Sequence, residues 1–181
     1  MHALALDLEL NKGTPIEIGL TEINLLTNTI VKTMSLPIKC KDSLDEEIVK
    51  LTGWTDTKLN RCGKYLWEWV PTLLRNGSKN RLIIVDSSDE LLFIENYVRL
   101  NHIMLSSPFG NEVINVSHLY SLISGDYESR SLDNKLEFFG LRFEGRPHRA
   151  STDSLNIARL FLKIKEDYLF VKKDEGVLPG E

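Results

Sequence analysis

Apolar and polar positions alternate from the start of the chain. In ALALDLE, residues 3–9, side chains two apart share a face of a strand, so Asp7 and Glu9 project together while Ala3, Ala5 and the leucines pack around them. The same period returns in residues 15–24 and 29–35, with turn residues at 11–14 and 27–28, which predicts three consecutive strands in an antiparallel meander. From residue 43 the period lengthens. SLDEEIVKLTG offers Ser43 as an N-cap, Glu46 three residues later and Gly53 as a stop. A second helical pattern covers residues 61–75, where Leu66, Trp67, Val70 and Leu73 recur and Trp67 and Trp69 read as core and interface residues.

RLIIVD, residues 81–86, is a short apolar run suited to a buried central strand, and SDELLFIENYVRLN after it reads as a helix capped by Ser87 or Ser88. Residues 115–123 and 131–139 are shorter helical pieces, and 151–170 form a long closing helix carrying Leu155, Ala158, Leu162 and Ile164. One domain is expected over residues 1–172, with 173–181 a frayed tail. Three strands followed by alternating helix and strand fit an α/β domain with a mixed sheet covered on its faces, the element order of the ribonuclease-H-like fold.

Composition narrows the function classes. With 42% hydrophobic and 27% charged residues among 181, the chain has the make-up of a globular domain, and no run approaches the roughly 18 apolar residues that span a bilayer. The first ten residues carry acids where an export signal carries bases, so the expectation is a cytoplasmic protein with no membrane partner. Cys40 and Cys62 stand outside any spaced Cys/His set, which predicts two reduced thiols and no zinc site. A net charge of −4 excludes nucleic-acid binding by bulk electrostatics; metal ions or a local basic patch would have to manage a polyanion.

Acids occur where acids are costly. Two carboxylates on an apolar strand cost several kcal/mol (roughly) unless paired, protonated or bound to metal; the plainer alternative is an edge strand with both acids in water. Asp89 follows RLIIVD in the first turn of its helix, at the strand end where open α/β sheets place active-site residues, although a helix-start acid needs no such role and Asp86 competes with it. In RPHRASTD, residues 146–153, Pro147 holds the segment out of the helix, so that His148 sits on a loop and Asp153 in the first turn of the closing helix. Together the four carboxylates suit divalent cations, which take hard oxygen ligands, and the histidine adds a proton acceptor.

In these motifs the chain resembles the DEDDh family of 3′-to-5′ exonucleases, and within it the KapD-like and Eri-type RNA exonucleases. The first motif is met by LALDLE with an EIG strand after it, the second by Asp89 in IIVDSSDELL, and the third by His148 and Asp153 in EGRPHRASTDSLNIAR. LTGWTD resembles the family's LTGIT segment, and the likeness covers residues 3–165. Leu10, Asn11 and Lys12 stand where the family has small residues and threonine, and Ser88 where many members have an apolar residue.

The resemblance implies a five-stranded ribonuclease-H-like sheet and a two-metal site. Asp7, Glu9 and Asp153 would hold one Mg²⁺ or Mn²⁺, Asp7 would reach a second, and Asp89 would support that second ion. His148 would act as general base, and nucleoside 5′-monophosphates would leave from single-stranded RNA 3′ ends. A DNA exonuclease and a silent nucleic-acid-binding module are the alternatives. Weaker expectations concern substrate contacts: the backbone at Leu10 and Asn11 against the terminal sugar, Trp54 stacked on a base or packed as core, and Arg146 and Arg149, beside Arg142, tracking phosphates or lying as a solvated basic surface.

Overall fold

Five strands form one sheet: β1 (His2–Asn11), β2 (Thr14–Asn24), β3 (Thr29–Pro37), β4 (Leu82–Val85) and β5 (Val113–Asn115), in the order β3-β2-β1-β4-β5. The computed structural model describes residues 1–76, 82–100, 102 and 112–169; the tail expected at 173–181 lies outside them. The first three strands are an antiparallel meander, and β4 and β5 add in parallel. This is the mixed sheet, three antiparallel strands first, that the sequence predicts. β1 is its central strand, so its acids do not lie on an edge.

Alternation along β1 divides the core into two layers. Leu4 and Leu6, with Ile18, Leu20, Ile83 and Val85, pack against α3 (Leu66–Asn76) and α4 (Ser88–Leu100) through Leu66, Leu73, Leu91 and Ile94. Ala3 and Ala5, with Ile23 and Ile84, face α5 (Val116–Ser124), α6 (Leu132–Phe138) and α7 (Ala150–Ile164) through Val116, Leu136, Ile157 and Phe161. Each fully buried Leu, Ile or Phe contributes about 1.5–3 kcal/mol. Because the period is two, Asp7 and Glu9 continue the Ala3–Ala5 row toward α7.

A smaller cluster of Ile16, Leu44, Trp54 and Leu59 seats α1 (Glu46–Thr52) and α2 (Asp56–Cys62) beside the β1–β2 hairpin. Here the structure departs from the helix boundaries expected. α1 is preceded by an extended Asp45 rather than by Ser43, whose carbonyl instead accepts from Asn11 Nδ2. The helix expected over 61–75 is two: the Thr55 hydroxyl caps α2 by accepting from the Lys58 amide, and Gly63, in extended conformation, ends it. α7 passes into a π-helical turn at Lys165–Leu169. Cys40 and Cys62 are free thiols.

Candidate active site

Asp7 and Glu9 reach the C-terminal end of the sheet from the central strand, and Asp153 meets them from the first turn of α7. One carboxylate oxygen of each lies within 4.8 Å of those of the other two. Their meeting depends on Gly19, the residue paired with Asp7 across the β1–β2 ladder. A Cβ there would lie 1.8 Å from the Ala150 carbonyl oxygen, so the missing side chain is what lets the start of α7 rest on the sheet.

His148 lines the same cleft, with Asp7, Asp86, Pro147 and Asp153, in a space of about 240 Å³. It takes a left-handed backbone, φ 60°, which few residues other than glycine adopt and which is common at functional sites. The ring is exposed and makes no hydrogen bond to the described residues. The structure therefore brings together four of the five residues expected: Asp7, Glu9, His148 and Asp153.

The fifth is different. Asp89 is exposed on the outer side of α4, its amide donating a hydrogen bond to the Ser87 hydroxyl oxygen, 3.1 Å away. The neighbouring Glu90 is the acid that α4 turns inward, close enough for its charge to act on Asp7. Its Oε2 is buried without a hydrogen-bond partner among the described residues. Helical spacing explains the correction: Glu90, Ile94 and Tyr97 are spaced 0, 4 and 7, on the stripe of α4 that packs inward, and Asp89 is rotated about 100° from it. That stripe was the signal in the sequence; choosing the residue by type, aspartate, passed over it.

Asp86 also lines the cleft, but it is occupied. Lys135, 4% exposed on α6, donates to both its oxygens at 2.7 and 2.8 Å, and the Ser117 hydroxyl donates to one of them at 2.9 Å. No motif in the sequence pointed to Lys135.

Acids outnumber cations in the cleft. Burial, then the charges of Glu90, Asp153, Glu9 and Asp86, hold the Asp7 carboxyl well above the usual carboxylate range. Burial and the neighbouring Asp153 and Glu17 push Glu9 up to about 8. Burial and Asp86 push Glu90 up to about 8, against the pull of Lys135. Burial raises Asp153 to about 6 although His148 opposes it. A cluster of acids that resists ionisation and includes an unpartnered buried oxygen fits divalent cations, for which oxygen ligands are preferred. Asp7, Glu9 and Asp153 could hold such an ion, and Glu90 stands near enough for its charge to act on Asp7.

Across the ladder from Glu9 stands Glu17, fully buried and differently served. It accepts from Ser35 Oγ at 2.5 Å, Trp54 Nε1 at 2.7 Å and Arg149 Nε at 3.0 Å. Burial pushes its carboxyl up, but these hydrogen bonds and the guanidinium charge outweigh burial and hold it below the usual range. Glu17 thereby ties β2 to β3, to the loop before α2 and to the start of α7.

This network changes the reading of the weaker substrate residues. Trp54 is 7% exposed, its indole N–H spent on Glu17 and its face covered by the Arg149 guanidinium at 4.3 Å, so it is a packing residue and not an open stacking platform. Arg149 is committed to Glu17, and Arg146 donates to the carbonyls of Lys50 and Leu51 at the end of α1. The Asn11 side chain is buried and accepts from the Asp45 amide. Leu10 stays half-buried beside Glu9, at the β-bulge that interrupts pairing between them.

Comparison with known proteins places the fold in a family. A family model described as Exonuclease, RNase_T, matches residues 5–161. The chain is 29% identical over 147 residues to 3′-5′ exoribonuclease 1 of Mus musculus, covering 76% of this chain and 42% of that protein, so it spans less than half of the relative's length. Its fold superposes with a TM-score of 0.81 on the nuclease domain of 3′hExo, a DEDDh family member, bound to rAMP; identity is 22%, and 92% of each chain is covered. S. pombe Pop2p in its Mg²⁺ and Mn²⁺ bound form gives 0.65 at 16% identity, over 93% of this chain and 83% of that one.

Proposed function

Because the chain belongs to the RNase_T exonuclease family, we propose that it is a metal-dependent 3′-to-5′ exonuclease that removes nucleoside 5′-monophosphates from single-stranded nucleic acid, with RNA as the favoured substrate. The observation that carries this reading is the convergence of Asp7, Glu9 and Asp153 within 4.8 Å, with His148 in the same cleft. RNA is favoured because the mouse relative is an exoribonuclease and the 3′hExo nuclease domain was seen with rAMP. Divalent metal fits the donor set and is present in the Pop2p structure.

Asp7, Glu9 and Asp153 would hold divalent metal, with Glu90 as a further carboxylate in the role the motif assigns to Asp89. Two Mg²⁺ or Mn²⁺ ions held there would stabilise the attacking and leaving oxygens of an in-line displacement. His148 accepts a proton from the attacking water on a ring nitrogen. The water oxygen bonds to phosphorus as the bond from phosphorus to the 3′ oxygen breaks, and the shortened strand keeps a 3′-hydroxyl. His148 follows Pro147, lines the cleft and is exposed, so its imidazole is open to incoming substrate.

The test is degradation of 5′-labelled RNA and DNA oligonucleotides with Mn²⁺ and with EDTA. Ladders shortening from the 3′ end with Mn²⁺ alone, RNA faster than DNA, are expected. Folded Asp7→Asn and His148→Ala variants that match the parent would overturn the assignment.

A further inference from the structure

A second concave surface lies on the α3–α4 side of the sheet, with a volume of about 530 Å³, more than twice that of the catalytic cleft. Its wall is aromatic. Tyr65 and Trp67 stand with rings nearly parallel, 8° apart in tilt and 6.3 Å between centroids. They are 46% and 61% exposed, whereas the core positions of the same segment, Leu66 and Leu73, are buried. The core therefore gives no reason for an indole at position 67, and the expectation that Trp67 is a core residue fails.

The rim is basic. The Lys39 ammonium lies 5.6 Å over the Tyr65 ring, and Lys41 is exposed beside it. Among the described residues neither is in an ion pair, and Asp42 is the one carboxylate lining the groove. Cations beside exposed aromatic rings match the chemistry of a single-stranded nucleic acid, whose phosphates need charge and whose bases need flat apolar surfaces.

The groove and the active site both draw on α4. Tyr97 lines it and lies seven residues, about 10.5 Å of helix, from Glu90 on the same α4. Thr14, at the start of β2, also lines it.

We propose that this groove binds the upstream, single-stranded body of the strand whose 3′ end occupies the catalytic cleft, with bases stacking on Tyr65 and Trp67 and phosphates meeting Lys39 and Lys41. The proposal rests on the exonuclease reading of the cleft. It makes the enzyme sensitive to substrate length: strands long enough to reach the groove engage both surfaces and shorter ones engage the cleft alone.

The experiment compares KM for a trinucleotide and a 12-nucleotide RNA with Mn²⁺, and separately the anisotropy of a labelled 12-mer in EDTA. The parent is expected to show a KM at least about tenfold lower for the 12-mer, the equivalent of one well-stacked base. In Tyr65→Ala/Trp67→Ala this advantage disappears through KM, and 12-mer binding in EDTA weakens by the same factor. Trp67→Phe keeps most of it because a π-face remains, and it abolishes the indole share of any fluorescence quenching by the 12-mer. Lys39→Gln/Lys41→Gln lowers the salt slope of binding by about two. An unaltered 12-mer preference and unaltered anisotropy in the double alanine variant would overturn the proposal. If no RNA or DNA is degraded by the parent, it is the exonuclease reading that fails, and the anisotropy in EDTA still decides the groove.

Discussion

Gly19 and Ala150 are in backbone contact: the hydrogen of the glycine points at a carbonyl oxygen that a methyl group would approach to 1.8 Å. The contact sits one rung across from Asp7, so the first turn of α7, and Asp153 with it, is held against the sheet by the absence of a side chain. Gly19→Ala should lift that turn. We expect a loss of about 1–3 kcal/mol in denaturant unfolding, as for overpacked cores, and Mn²⁺ affinity reduced at least about tenfold by calorimetry. An alanine variant with parental Mn²⁺ affinity would show that Asp153 is placed by something else.

Glu90 and Asp89 separate cleanly by substitution. Glu90→Gln removes a buried, unpartnered carboxylate oxygen from the cleft and should weaken Mn²⁺ binding and turnover by about 10- to 100-fold, as loss of a supporting ligand does. Asp89→Asn, on the exposed side of α4, should leave both within about twofold. The reverse ranking would restore the aspartate to the site.

Metal-free stability should fall as pH rises. Glu9 and Glu90 titrate near 8 in the folded chain, against about 4.3 for a free glutamate. Between those values the folded state holds protons that the unfolded state has released, so their contribution is full below pH 4 and is lost through pH 8. In EDTA the Tm should therefore drop from pH 5 to pH 8; saturating Mn²⁺ should raise it most at pH 8 and flatten the profile. A Tm in EDTA that climbs with pH across this range would contradict the cluster's electrostatics.

Glu17→Gln tests the anchor. It leaves the partly exposed Arg149 guanidinium facing a neutral amide at the buried position 17, and breaking a fully buried pair costs about 3–5 kcal/mol, an upper bound here. Equilibrium unfolding in urea should register a loss within that bound. A change below about 1 kcal/mol would mean that the network is redundant.

Much of this was legible in the chain. The alternation of ALALDLE placed both acids of β1 on one face, and Pro147 followed by a polar helix start placed His148 on a loop and Asp153 on a helix. What escaped was of two kinds. Some signals were local but finer than motif matching: Glu90 differs from Asp89 only by one step of helical rotation, and β5, three residues long, carries too little pattern to stand out. Others were not local at all. Trp54, Arg149 and Asn11 have the composition of ligand contacts, and their partners lie 37, 132 and 34 residues away in sequence, where no window reaches.

The raised acids have a further meaning for how the cleft fills. Without ions Glu9 and Glu90 keep their protons to higher pH than free glutamates, so a cation that binds them competes with protons and releases them into the buffer. Ion loading is thus a competition between two kinds of positive charge for the same oxygens. A shift of one pH unit changes the outcome as surely as a change in metal concentration, which makes local acidity an input to whether the cleft is armed.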